Sequence, residues 1–113
     1  MAGPATHSMK YRFLGNSGLL VSTLSFGAMT FGEPSTVDQS YEIMTHAYKH
    51  GVNFFDNAEA YGDGRAETIM GQCIKRGIDS DVWTREDLVI STKIFWGSKG
   101  RFLGTLGPND YGL

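Results

Sequence analysis

Two amphipathic helical patterns, the first followed at once by a short apolar run and the second by such a run after a polar connector, constrain the fold of this 113-residue chain more than any other feature. The apolar runs cover residues 52–55 and 88–92. Each has the length of a strand that is covered on both faces, as strands of parallel sheets are. Strand, helix and strand in alternation with short links predict right-handed βαβ crossovers. We therefore expect an α/β fold built on a parallel sheet.

The ends of the first helix are marked in the sequence. Thr36 and Gln39 have the spacing of a capping box, in which each side chain satisfies a free backbone N–H at a helix start. Gly51 can adopt the left-handed conformation that ends a helix. The apolar stripe between these ends consists of Val37, Tyr41, Met44 and Tyr48. The sequence predicts a helix that runs to about His50.

The second helix shows a similar stripe, formed by Ala66, Ile69, Met70, Cys73 and Ile74. We expect Gly77 to end this helix and Trp83 to pack in the connector that follows. Cys73 lies on the apolar stripe, so a buried structural thiol is expected rather than a redox sensor.

The remaining segments predict a leader, a hairpin and a loop. Residues 1–9 form the expected flexible leader before a domain that spans residues 10–113. Residues 11–22 predict a β-hairpin around Asn16-Ser17-Gly18, because Asn and Gly tolerate positive φ. Residues 23–27 predict a short strand. After Lys93, repeated glycines predict a loop.

Composition excludes several classes of function. The 10 basic and 12 acidic residues are scattered and give a net charge of −2, so no nucleic-acid partner is expected. The apolar runs are too short for membrane insertion. The single cysteine excludes an internal disulfide and fits a reducing, cytoplasmic setting. His46 and His50 are four residues apart near a predicted helix end, where they complement the helix dipole, so no metal site is expected.

Asp56, Tyr61 and Lys93 are the candidates for chemistry, because they follow two predicted parallel strands at the end where such sheets place their sites. A phenol with a pKa of roughly 10 gives up its proton reluctantly at neutral pH. A neighbouring ammonium stabilises the phenolate, and a carboxylate keeps that ammonium charged. The alternative is structural, since strand-end aspartates cap, tyrosines pack and lysines lie in solvent.

Four segments resemble the aldo-keto reductase superfamily, in particular its branch of voltage-gated potassium channel β subunits and related NADPH-dependent reductases. YRFLGNSGL at residues 11–19 is similar to the opening hairpin of that branch, and FGAMTFG at residues 26–32 to its first barrel loop. FDNAEAYG at residues 55–62 resembles the aspartate-to-tyrosine motif, and STKIFW at residues 91–96 contains the motif lysine. Asn57 stands where a threonine is usual, and Glu33-Pro34 replaces a glycine-glutamine pair.

The resemblance implies a fold. It implies the N-terminal portion of a (β/α)8 TIM barrel preceded by a β-hairpin, with the barrel incomplete and the domain a partial NADP-dependent oxidoreductase.

The resemblance also implies roles for single residues. Tyr61 would be the general acid, Lys93 its pKa-lowering partner, and Asp56 the carboxylate that pairs with the lysine and touches the cofactor. Ala28 and Met29 would lie near the nicotinamide and its ribose, and Trp96 would line the substrate pocket. The family's catalytic histidine would lie beyond residue 113.

Three functions follow from these expectations. The first is NADPH-dependent reduction of a small aldehyde or ketone, by a truncated chain that would be inactive alone. The second is a non-catalytic, cofactor-sensing auxiliary subunit of a potassium channel. The third is a partial chain with no activity of its own. Homo-oligomerisation is left open.

Overall fold

A computed structural model of the chain describes residues 7–95. The strands are β1 (Tyr11–Phe13), β2 (Leu20–Ser22), β3 (Phe26–Gly27), β4 (Phe54–Asp56) and β5 (Val89–Ser91). The helices are α1 (Val37–Lys49) and α2 (Arg65–Asp79), with 3₁₀ turns at Tyr61–Gly64 and Arg85–Asp87. The expected hairpin, two helices and three parallel strands are all present.

The hairpin pairs β1 with β2 in antiparallel register, with Arg12 opposite Val21. Its turn differs in detail from the prediction. Gly15, with φ of 57°, is the residue of this turn that has positive φ, rather than Asn16 or Gly18. A hydrogen bond of 2.9 Å from the N–H of Leu14 to the carbonyl of Leu19 closes the hairpin just outside this turn.

The parallel sheet has the strand order β3-β4-β5, so β4 lies in the centre. Its register aligns Gly27 with Asp56, and Asp56 with Ser91. The last residues of the three strands therefore lie side by side. Strands β4 and β5 are shorter than the runs that predict them, and Asp56, the residue just after the first run, is part of β4 because it pairs with Ser91.

Helix α1 begins with the predicted capping box. The Gln39 N–H donates to Thr36 Oγ1 at 3.2 Å, and the Thr36 N–H donates to Gln39 Oε1 at 3.0 Å. At the other end, Gly51 has φ of 97° and the helix stops at Lys49. Both end signals are confirmed.

Helix α2 does not end at Gly77, so that prediction was wrong. The helix continues to Asp79, and Gly77 is buried inside its last turn. A Cβ atom at this position would lie 2.1 Å from Cε2 of Trp83. The Trp83 indole N–H donates to the carbonyl of Ile74 at 3.0 Å. Glycine is therefore required here for close packing of the indole on the helix, rather than for a left-handed turn.

The core lies between the parallel sheet and the two helices. Phe55 from β4, Met44 from α1 and Cys73 from α2 are fully buried in it, and Trp83 is nearly so. The buried environment of Cys73 and the packing role of Trp83 are as predicted. No helix within residues 7–95 is long and apolar enough to cross a membrane.

Candidate active site

Asp56 and Lys93 meet at the carboxyl end of the parallel sheet. Lys93 follows β5 by two residues, and its Nζ donates to Asp56 Oδ2 at 2.7 Å. The same ammonium donates to the backbone carbonyl of Asn57 at 2.6 Å. The ammonium is thus held by two acceptors that both belong to the end of the neighbouring strand.

Backbone hydrogen bonds continue the sheet pairing past the strand ends and place Lys93. The Asn57 N–H donates to the Ser91 carbonyl at 2.8 Å, and the Glu59 N–H donates to the Lys93 carbonyl at 3.0 Å. Because these bonds link the two segments that carry the aspartate and the lysine, the ion pair depends on sheet register rather than on a free loop.

Tyr61 reaches the ion pair from the turn that opens α2. Its N–H donates to the Ala58 carbonyl at 3.2 Å, which closes the turn. The Lys93 Nζ lies 5.0 Å from the centroid of the Tyr61 ring, within the range of a cation–π interaction. The three candidate residues predicted from sequence therefore lie together in the structure.

The charges of the ion pair support each other. The hydrogen bond to Asp56 raises the pKa of Lys93, partial burial opposes this, and the Tyr61 hydroxyl adds to the rise. For Asp56, burial acts to raise the pKa, but hydrogen bonds from Lys93 and Ser91 outweigh it and leave the pKa below its ordinary value. The pair therefore stays ionised at neutral pH.

A cavity of about 440 Å³ opens beside these residues. The described residues that line it are Met29, Ala58, Glu59, Ala60, Tyr61, Gly62, Lys93 and Phe95. The Tyr61 phenol, the Lys93 ammonium and the Glu59 carboxylate are its ionisable groups, and the other lining side chains are apolar or belong to glycine. Such a wall suits a small organic ligand with one polar reacting group.

The candidates for cofactor and substrate binding, Ala28, Met29 and Trp96, do not all lie on the cavity wall. Met29 is 65% exposed and lines the cavity. Ala28 is fully buried, and its N–H donates to the Asp56 carbonyl at 2.9 Å, so its side chain faces the core. Trp96 lies outside the described residues. No group of three or more histidine, cysteine or acidic residues within residues 7–95 could hold a metal ion.

Sequence reasoning missed the contribution of Ser91 and of the Asn57 backbone. Ser91 Oγ donates to Asp56 Oδ1 at 2.6 Å. The buried Asn57 side chain donates to the Ala66 carbonyl at 3.1 Å and accepts from the Ala58 N–H at 2.9 Å. This asparagine, which departs from the usual threonine, fixes the strand end to α2. The position of Ser91 two residues before the lysine was the available signal, but its partner depends on register.

Comparison with known proteins supports the resemblance. Residues 23–107 match the model of the aldo/keto reductase family. Over 107 residues, the chain is 55% identical to a protein of Arabidopsis thaliana and 49% identical to one of Oryza sativa subsp. japonica. Both are described as a "Probable voltage-gated potassium channel subunit beta". Each match covers 93% of this chain and 29% of the relative.

A solved structure of an aldo-keto reductase also resembles this chain. The holo form of an aldo-keto reductase from Bacillus halodurans superposes with a TM-score of 0.68 at 31% identity, over 88% of this chain and 29% of that one. That neighbour is a TIM barrel, of which the chain covers a portion, and residues 7–95 contain an open three-stranded sheet rather than a closed barrel. From its sequence match, its fold and the grouping of Asp56, Tyr61 and Lys93, the chain belongs to the aldo/keto reductase family.

Proposed function

We propose that the protein is an NADPH-dependent oxidoreductase that reduces a small aldehyde or ketone, with Tyr61 as the proton donor. The observation that carries the proposal is the position of the Lys93 ammonium, 2.7 Å from the Asp56 carboxylate and 5.0 Å from the Tyr61 ring centroid, on the wall of a cavity. Family membership supports the oxidoreductase class.

The residues present fit the reactive end of a nicotinamide cofactor. A flat nicotinamide ring needs an apolar surface beside the reacting groups, and exposed Met29 offers one on the same cavity wall as Tyr61 and Lys93. The cavity volume of about 440 Å³ lies in the range of small-molecule sites, which suits that ring beside a small carbonyl compound. When bound, the cofactor would supply the hydride.

The chain's own groups supply the proton and the charge. The Tyr61 hydroxyl would donate its proton to the carbonyl oxygen of the substrate as that oxygen becomes negative. The Lys93 ammonium would stabilise the phenolate that remains, and Asp56 holds that ammonium charged and in place. This arrangement gives a weak acid the assistance it needs near neutral pH.

Replacing Tyr61 by phenylalanine tests the proton-donor role. With protein made from the complete gene, we expect turnover of an aldehyde to fall by about 100-fold or more, because general acid catalysis is lost. The measurement is NADPH oxidation followed by absorbance, with cofactor binding followed by fluorescence and expected to be unchanged.

Tyr41→Phe is the matched control, because Tyr41 packs against Trp83 and Arg76, away from the cavity wall. It should keep full turnover. Undiminished turnover in Tyr61→Phe would remove the proton-donor assignment.

A second function is favoured by the descriptions of the two plant relatives. We propose as the alternative that the protein is a cofactor-sensing auxiliary subunit of a voltage-gated potassium channel. Co-purification with the cytoplasmic domain of such a channel would support it, and loss of that association when NADPH is removed would show sensing. Turnover lost in Tyr61→Phe with association retained would separate the two functions.

A further inference from the structure

The Asp56 carboxylate divides its two oxygens between two donors. Oδ2 accepts from Lys93 Nζ at 2.7 Å, and Oδ1 accepts from the Ser91 hydroxyl at 2.6 Å. A carboxylate bound at one oxygen alone can rotate about its last side-chain bond. Bound at both oxygens, it is fixed in one orientation.

We propose that Ser91 is a positioning residue of the site, whose hydroxyl fixes the Asp56 carboxylate so that Oδ2 is presented to Lys93. This inference rests on the proposed function, because it gives the lysine its place beside Tyr61. It assigns a role to a residue that is not among the described residues lining the cavity.

Sheet register places the hydroxyl where this role requires it. Ser91 is the last residue of β5 and is paired directly with Asp56, the last residue of β4. Side chains of paired residues lie on the same face of a sheet, close enough for a hydrogen bond. The Ser91 carbonyl also accepts the Asn57 N–H at 2.8 Å, so the backbone that carries the hydroxyl is itself held.

The neighbouring hydroxyl cannot replace it. Thr92 is the next residue and lies just past the end of β5. Its Oγ1 donates to Glu67 Oε2 at 2.8 Å, on α2. Of these two consecutive hydroxyls, that of Ser91 donates to the Asp56 carboxylate of the ion pair, and that of Thr92 donates to the Glu67 carboxylate on the helix. Thr92 therefore offers a matched control within one residue of the proposed site.

The electrostatic setting agrees with the geometry. The Ser91 hydrogen bond is among the interactions that lower the pKa of Asp56, after that of Lys93. The groups that act on the pKa of Lys93 are Asp56 and Tyr61. Glu59 is the acidic residue among the described residues that line the cavity.

The first test needs no turnover. In protein made from the complete gene, carbon-13 NMR of the Asp56 carboxyl group gives its pKa directly. We expect Ser91→Ala to raise that pKa by roughly half to one pH unit, because a donor to the charged form is lost. Ser91→Thr retains the hydroxyl and should leave the pKa in place, as should Thr92→Val.

The second test measures turnover in the same variants. Ser91→Ala should lower kcat by about tenfold, with the KM for the aldehyde changed by less than about twofold, since the loss concerns the proton-donating assembly and not binding. The acidic limb of the pH profile of kcat should move to higher pH in Ser91→Ala. Ser91→Thr should restore both properties, and Thr92→Val should behave as the unaltered protein.

The outcomes separate this inference from the proposed function. An Asp56 pKa that is unchanged in Ser91→Ala would overturn the inference, as would a raised pKa with kcat unchanged. If the unaltered protein shows no turnover with any aldehyde, the proposed function fails, and the NMR result alone decides whether Ser91 fixes Asp56. Should Ser91→Ala not fold, Ser91→Cys keeps the size with a weaker donor and should move the pKa in the same direction.

Discussion

The Lys93 ammonium has three hydrogens, and two of them are donated to the Asp56 carboxylate and the Asn57 carbonyl. The same nitrogen lies 5.0 Å from the centroid of the Tyr61 ring. A lysine that is 49% exposed would otherwise sample many rotamers in solvent. Two acceptors at the end of one strand reduce this freedom and hold the charge next to the phenol.

The same pair gives a pH-dependent contribution to stability. Because the folded pKa of Asp56 is lowered, its stabilising effect is present above its ordinary value of 3.8 and is lost as the pH falls through the folded value. We expect Asp56→Asn to lower the free energy of unfolding at neutral pH by less than about 1 kcal/mol, since both partners are partly exposed and screened. The difference should shrink below about pH 4.

Urea unfolding at neutral pH and at about pH 3 measures this difference. Glu42→Gln, on the exposed face of α1, is the control for the loss of one carboxylate away from the pair. A difference between Asp56→Asn and the unaltered protein that stays constant across the range would contradict the assignment of charge to the pair.

At the scale of elements, the junction of α2 with the connector after it determines where the helix ends. The Trp83 indole packs on the bare backbone at Gly77 and donates to the Ile74 carbonyl, while α1 supplies Tyr41 and Tyr48 as edge-on aromatic neighbours. This packing joins the two helices on one side of the sheet. It therefore holds in place the helix that directly follows the 3₁₀ turn of Tyr61.

Two glycines of α2 provide a matched pair of substitutions. Gly77→Ala should destabilise the fold by about 1–3 kcal/mol, because its Cβ would overlap the Trp83 ring. Gly71→Ala should stabilise by about 0.5–1 kcal/mol, because a Cβ there meets no atom within 4 Å and alanine favours the helix. Chemical denaturation of both variants checks the signs. If Gly77→Ala were as stable as Gly71→Ala, the proposed packing constraint would be wrong.

At the scale of the whole molecule, the described part of the chain is an open sheet with two helices on it. The outer edges of β3 and β5 pair with no strand within residues 7–95. Exposed apolar side chains accompany these edges, notably Leu24 at 67% and Ile94 at 70%. Unpaired strand edges with apolar neighbours promote association between chains.

We expect the 113-residue chain, produced by itself, to self-associate with rising concentration. Ile94→Lys places a charge next to the end of β5 and should reduce association, whereas Ile43→Lys on α1 should not. Size-exclusion chromatography with light scattering over a concentration series measures the effect. A monomer at every concentration, with one cooperative unfolding transition, would show that these edges do not drive association.

The sequence by itself determined the order of elements and the residues of the candidate site. A capping box at Thr36 and Gln39, a stop at Gly51 and two apolar runs are local signals, because helix ends and strand burial depend on a few neighbouring residues. The trio of Asp56, Tyr61 and Lys93 was predicted because residues that follow parallel strands meet at one edge of the sheet. That meeting is observed.

Only the tertiary structure decided which groups support these residues. Gly77 reads as a helix end until Trp83 is seen to occupy the space of its missing side chain. Ser91 and Thr92 are equivalent hydroxyls in sequence, but sheet register directs Ser91 to Asp56, and Thr92, just past the strand, donates to Glu67 on α2. Register and close packing join residues that are far apart along the chain, so no local pattern encodes them.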